Sequence, residues 1–339
     1  MSDVGVETPP DRLTTYITPN DAFFVRHHSP ADAPDPDAWA LVVDGEVARP
    51  LRLSLREIKR LPAATVTCVL ECAGNGRSLY RPAAPGLAWG RGAVGNASWT
   101  GVRVRDLLER AGVKAGARHL HTAGTDEPAG GEPEFLRSVE LEKALEGAIV
   151  AWEMNGERLP PIHGAPARLV VPGWAGDHWM KWLARLSPQV NERTGYFMDE
   201  EYRYPVRPGE PGVAIDPRQM RPITELFVKS MITEPPARAG VGVPETLRGF
   251  ALSGAPDVAK VELSEDDGAT WTAADLDPRH DPYAWRLWSF RWTPRRAGRT
   301  RLSARATDSR GSVQPRDAVW NPGGFLHNGW HSVEVDVAG

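Results

Sequence analysis

Near residue 222 the chain changes its hydrophobic period, and no other feature constrains its fold as strongly. Before that point, helix-like and strand-like segments alternate irregularly. After it, helical periodicity disappears. Short strand-like runs follow one another at 247–252, 258–263, 270–274, 285–292 and 300–308, separated by turn residues, which predicts a β-sandwich. The stretch 204–212, Tyr-Pro-Val-Arg-Pro-Gly-Glu-Pro-Gly, reads as a linker. Three parts are therefore expected: a flexible N-terminal arm over 1–15, a mixed α/β domain over 16–215, and a β-sandwich over 216–339. The fold class is α+β, without a regular βαβ repeat. A length of 339 residues lets each domain bury a core of its own.

Within the first domain, 39–45 reads as a strand ending in an Asp-Gly turn. Ser54 and Glu57 form a capping box ahead of a short helix to Leu61. Helices are also expected over 102–112 and 138–147, each stopped by glycine, and a strand over 167–171. In the second domain, Ser264-Glu-Asp-Asp-Gly-Ala-Thr-Trp271 fits the Asp-box pattern of sialidase-type propellers. A propeller would repeat it at a fixed period, and it occurs once, so it reads as a hairpin turn. Asp caps that turn, Gly268 supplies positive φ, and Trp271 packs beneath it.

The chemistry concentrates at Cys72, in Val-Leu-Glu-Cys-Ala-Gly-Asn-Gly-Arg-Ser (69–78). An apolar strand ending in a cysteine on a Gly-rich turn offers one thiol where a ligand can approach the backbone closely. Arg77 adds positive charge, which favours the metal-binding thiolate. The other cysteine, Cys68, would sit ~13 Å away along the same strand. A disulfide needs roughly 7 Å or less, so none is expected. The net charge of −4 argues against a general nucleic-acid binder, and no apolar run is long enough for a membrane helix. The N-terminus carries no leader pattern, so the expected location is cytoplasmic. A trimmed or partner-carried chain would instead be periplasmic.

Several motifs in this order resemble those of the sulfite oxidase family. They are Phe23-Phe-Val-Arg-His-His28, Glu71-Cys-Ala-Gly-Asn75 with Arg77 and Ser78, Trp152-Glu-Met-Asn-Gly-Glu-Arg-Leu-Pro160, His163-Gly-Ala-Pro-Ala-Arg168, Lys181-Trp-Leu183 and Tyr202. Together they cover about 16–205. The resemblance implies a molybdopterin-binding domain followed by an immunoglobulin-like domain through which the protein homodimerises. It implies the molybdenum cofactor, with Cys72 as the single protein ligand to molybdenum. Phe24, Val25, Arg26, His27, His28, Asp126, His163, Arg168, Trp179, Met180 and Lys181 would hold the pterin and its phosphate. Arg26 and Arg77 would bind a small oxyanion, because a guanidinium fork matches a tetrahedral anion. Tyr202 would sit at the mouth and Trp89 in the pocket wall.

Each residue also has a plainer reading. His163 could be a hydrogen-bonded turn histidine, Arg168 an exposed edge residue, Asp126 a local turn cap, Lys181 a snorkelling lysine and Trp89 core packing. The reaction implied by the resemblance is oxidation of sulfite to sulfate by oxygen-atom transfer from a Mo(VI) oxo group. A molybdenum-dependent reductase of an S-oxide, N-oxide or nitrate is the alternative within the cofactor class. A non-catalytic binding protein is the alternative outside it. No Cys-x-x-Cys-His or His-Pro-Gly-Gly haem motif is present, and no flavin domain follows. The expected acceptor is therefore external, a cytochrome or oxygen, with no haem or flavin on the chain. One departure stands out: Trp320-Asn-Pro-Gly-Gly-Phe325 has Gly323 where the animal enzymes have a substrate arginine. Weaker sulfite binding, or another small oxo-acceptor as substrate, is expected from it.

Overall fold

The computed structural model describes residues 4–28, 33–126, 128 and 131–339. Residues 1–3 of the predicted arm and Glu127 in the turn bearing Asp126 lie outside the described residues.

Two five-stranded sheets build the first domain. One joins Glu157–Arg158, Ile149–Met154, Val94–Arg103 and Ala63–Glu71, with Arg168–Val170 added on Ile149–Met154. The other runs Leu51–Ser54, Ala40–Val43, Leu183–Gln189, His119–Gly124, Leu136–Glu140. Short helices pack against them. Helix Val104–Ala111 buries Val104, Leu107, Leu108 and Ala111, one face at helical spacing, and ends at Gly112 with φ 69°. The Ser54–Glu57 capping box is present at helix Leu55–Ile58.

The second domain is a sandwich of a four-stranded and a five-stranded sheet. In strand His331–Ala338, Val335 and Val337 point inward while Glu334 and Asp336 face solvent, the period-two pattern of a half-buried strand. At the 264–271 hairpin, Asp266 accepts hydrogen bonds from the Thr270 N–H (2.8 Å) and hydroxyl (2.6 Å). Gly268 has φ 89°, and the Trp271 ring packs edge-on against Trp330.

Two expectations are corrected. The described part of the arm is folded: Val4–Val6 pairs with Val25–His27, and Thr8 and Leu13 are fully buried. The Thr8 hydroxyl donates to the Val94 carbonyl and accepts from the Phe24 N–H, so the arm is hydrogen-bonded into the domain. The third helix begins at Leu141, because 138–140 complete the strand Leu136–Glu140. Each domain keeps a core of its own, and a third cluster lies between them. One apolar cluster joins Leu13, Tyr16 and Tyr202 of the first to Phe250, Trp285 and Phe325 of the second. The segment around Phe325 reaches back to the cysteine turn, where the Leu326 N–H donates to the Ala73 carbonyl at 2.7 Å.

Two half-buried histidines lie along this junction. His327 packs against Tyr80, and His331 Nδ1 accepts from the Ile232 N–H at 2.9 Å. Burial first, and then the nearby Arg91 charge, push both down from 6.5 to about 3. The unfolded chain therefore takes up protons below pH 6.5 that the folded chain refuses. Stability should be full above about pH 6.5 and fall toward pH 3, by up to about 1.4 kcal/mol per pH unit for each histidine. Urea midpoints measured from pH 7.5 to 4 check this. His331→Gln should flatten the slope by one proton, and a midpoint independent of pH would contradict the account.

Candidate active site

Strand Ala63–Glu71 ends at the turn that carries Cys72. The turn is fixed on both sides. The Cys72 N–H donates to the Ala93 carbonyl (2.9 Å), and Asn75 Oδ1 accepts from the Ala93 N–H (3.0 Å). Asn75 Nδ2 donates to Glu71 Oε1 at 2.6 Å, and Lys229 Nζ from the second domain donates to the same oxygen at 2.9 Å. Gly76, at φ 84°, lets the chain turn where a Cβ would stand 2.8 Å from His327.

Cys72 stands where two clefts meet. The first, of about 80 Å³, is lined by Phe24, His27, Asp126, Arg168, Trp179, Met180 and Lys181 among others. The second, of about 360 Å³, holds Arg77, Leu87, Trp89 and Phe197. Arg26, His28, Cys72 and Tyr202 line both. Most residues expected to hold a cofactor thus line the first cleft, Arg77 and Trp89 line the second, and Arg26, His28 and Tyr202 border both. His163 and Val25 are the exceptions and line neither cleft. The His163 ring turns away to Asn20, with Nε2 3.1 Å from that carbonyl. Its own carbonyl accepts from Arg168 Nη1 at 3.0 Å, so it supports the arginine from behind. Val25 is buried in a strand paired with Val6.

The first cleft gathers buried positive charge. The Arg168 guanidinium is wedged between the rings of Trp99 and Trp179, at 4.9 and 5.7 Å from their centres. Its buried Nε has no hydrogen-bond partner among the described residues. Burial pushes Arg168 down to about 9. Burial, then the Arg168 charge, push Lys181 down to about 7. Such cations are stabilised by an anion entering the cleft.

At the sulfur, burial raises the Cys72 thiol, while the Gly74 N–H, Arg26 and Arg77 pull it back down. This corrects the expectation that Arg77 alone would favour the thiolate: desolvation outweighs it until a cation binds the sulfur. Cys68 is fully buried in the strand before it, and both thiols are unlinked.

Arg77 is threaded between glycines. A Cβ on Gly86 would lie 2.6 Å from its Nη1, and one on Gly324 would lie 2.7 Å from its Cγ. Its Nε donates to the Gly323 carbonyl at 2.9 Å, and its plane lies over the Phe325 ring at 4.9 Å. A side chain at 323 would meet that ring at 2.1 Å, so the packing that seats Arg77 excludes an arginine there.

Tyr202 and His28 are joined, with Nε2 2.7 Å from the phenolic oxygen. His28 Nδ1 faces Arg26 Nη2 at 2.9 Å. Arg26 can only donate, and its Nη2 lies nearer Nδ1 (2.9 Å) than Nε2 (3.4 Å), so Nδ1 is the acceptor and Nε2 carries the hydrogen, which it gives to the Tyr202 oxygen. Burial, then the Arg26 charge, keep His28 neutral, at about 3. Burial raises Tyr202 well above the ordinary phenol range. The phenol keeps its proton and directs it away from His28.

Sequence reading missed a buried group beside this pair. Arg137 is wholly buried, and Nη2 lies 2.6 Å from Asp177 Oδ2 and 3.1 Å from His178 Nε2. Its Nη1 donates to the Phe197 carbonyl, and its guanidinium lies 5.3 Å from the centre of the Tyr202 ring. Asp177 lines the first cleft, raised to about 7 by burial against the pull of Arg137. No sequence signal marked it, because Arg137 stands just ahead of a run that reads as a helix, whereas it lies within the strand Leu136–Glu140.

Comparisons with known proteins identify relatives along the whole chain. Residues 28–197 match the oxidoreductase molybdopterin binding domain, and residues 220–338 match the Mo-co oxidoreductase dimerisation domain. The chain is 38% identical over 355 residues to the mitochondrial sulfite oxidase of Homo sapiens, covering 98% of this chain and 64% of that protein. It is 32% identical over 366 residues to an NAD(P)H nitrate reductase of Hordeum vulgare, covering 98% of this chain and 40% of the relative. Among solved structures, it is similar to the sulfane dehydrogenase SoxCD from Paracoccus pantotrophus. That match has a TM-score of 0.84 and 30% identity, covering 97% of this chain and 84% of the other. The chain thus spans less than two thirds of the length of the human sulfite oxidase it matches.

Proposed function

From the premise that this chain belongs to the sulfite oxidase family of molybdopterin-binding oxidoreductases, we propose that it oxidises sulfite to sulfate and passes the electrons to an external acceptor. The observation that carries this reading is the meeting of two clefts at Cys72, with Arg168 and Lys181 in the first, Arg77 in the second and Arg26 bordering both.

The residues present fit the cofactor. An anionic pterin phosphate would give the buried Arg168 and Lys181 charges their counter-ion and the Arg168 Nε an acceptor. Asp126, in the same lining, would accept from a pterin amine. Cys72 would give the metal one thiolate. When bound, the cofactor supplies oxygen-atom transfer and a two-electron redox change.

The chain's own residues do the rest. Arg26 and Arg77 hold the oxyanion beside the thiolate. The His28 Nε2–H fixes the Tyr202 oxygen, so the phenolic hydrogen points to a ligand in the cleft. Trp89 closes the wall and limits water. Electrons leave to a cytochrome or to oxygen. The matched dimerisation domain supports a homodimer.

Tyr202→Phe should lower kcat about 10- to 100-fold and change KM little, because it removes a proton donor while leaving both arginines. Steady-state kinetics check it, and an unchanged kcat would remove Tyr202 from the mechanism. The reading itself is tested by the visible spectrum of purified, cofactor-loaded protein before and after anaerobic sulfite. A thiolate-to-molybdenum band that bleaches supports it. A band that persists shifts the assignment toward reduction of an S-oxide, N-oxide or nitrate, which Gly323 and the nitrate reductase relatives keep in play.

A further inference from the structure

Resting on that reading, we propose that the second cleft is built for a singly charged sulfur oxyacid with an apolar substituent, an organic sulfinate, in preference to inorganic sulfite. Size is the first argument. A cleft of about 360 Å³ reaches the lower end of the range that holds small organic ligands and exceeds what a four-atom anion needs. The walls are the second. Leu87, Trp89, Pro133 and Phe197 line it, a surface that gains from covering a hydrocarbon group and gains nothing from sulfite.

The charges are the third. Arg77 already gives Nε to the Gly323 carbonyl and Nη1 to the Leu87 carbonyl, at 2.9 and 3.3 Å. Arg26 Nη1 donates to the His27 carbonyl, and its Nη2 faces His28 Nδ1. The ring of Phe325 excludes a further cation at 323. Glu132 and Glu201 line the same cleft. These carboxylates oppose the second negative charge that sulfite carries above neutral pH, and two partly engaged guanidiniums suit a monoanion better.

The reaction would be R–SO2⁻ + H2O → R–SO3⁻ + 2 H⁺ + 2 e⁻. The sulfur lone pair forms the new S–O bond, the C–S bond stays intact, and water supplies the oxygen in net terms. Two one-electron acceptor molecules take the electrons.

Two measurements on purified, cofactor-loaded protein test this. The first is calorimetric binding of benzenesulfonate and of sulfate, which needs no turnover. The second compares kcat/KM for benzenesulfinate and sulfite with ferricyanide as acceptor. Benzenesulfonate should bind at least about tenfold more tightly, the sulfinate should be preferred by a similar factor, and Leu87→Ser should narrow that preference about tenfold. Equal binding of the two anions, or sulfite turnover without sulfinate turnover, overturns the inference and leaves the sulfite reading standing. Tight benzenesulfonate binding with neither substrate oxidised upholds the cleft's ligand class and overturns the reading it rests on.

Discussion

Cys72→Ser should fold, lose the thiolate-to-molybdenum band, and turn over substrate at least roughly 10³-fold more slowly, a barrier increase of about 4 kcal/mol. The sulfur is half-buried at the meeting point of two clefts, and its turn is held by backbone and Asn75 bonds that a serine leaves in place. A hydroxyl at this position stays protonated and makes a poor ligand for a metal that prefers thiolate. Metal content, the visible spectrum and a urea midpoint on the same preparation separate lost ligation from lost folding. Cys68→Ser is the control. It places a hydroxyl in a fully buried strand position and should reduce stability by about 1–3 kcal/mol while leaving the band in place. Full activity in Cys72→Ser would remove the thiolate from the account.

Lys229→Met should be the most destabilising single change at the domain junction, by about 3–5 kcal/mol. Glu71 is almost fully buried and shares one carboxylate oxygen between Lys229 and Asn75, while its Oε2 has no partner among the described residues. Removing the ammonium strands a buried carboxylate next to the turn that carries Cys72. Lys229 also donates to the His327 carbonyl at 2.8 Å, so that acceptor loses its donor as well. The double variant Glu71→Gln/Lys229→Met removes both charges and should recover most of the loss, because Gln can still accept from Asn75. Denaturant unfolding of the four proteins gives the coupling energy. A Lys229→Met variant as stable as the parent would mean that the pair contributes nothing.

The legible parts of this protein were local. The helix at 104–111 showed in apolar spacing and a terminal glycine, the capping box in Ser54 and Glu57, and the hairpin at 264–271 in its Asp-Gly turn. The cysteine turn was legible because a strand, a thiol and two glycines are adjacent in the chain. The motif order indicated the family and most of the residues that line the two clefts.

What could not be read depended on partners far away in sequence. Thr8 is fixed by Val94, and Glu71 by Lys229. Arg137 is buried because Asp177 lies beside it, forty residues on. His163 looked like a cofactor contact, but its ring turns to Asn20 and only its carbonyl supports Arg168. Gly323 looked like a lost cation, but it leaves room for Phe325 and Arg77.

The sequence by itself determined the class of each domain, the cysteine and the arginines that flank it, since turn chemistry, periodicity and motif order act over a few residues. Only the tertiary structure decided how many clefts meet at that cysteine, which cations are already engaged, and that a third apolar cluster joins the two domains. Those outcomes follow from close packing and from satisfying buried charges, which join positions that the linear chain leaves far apart.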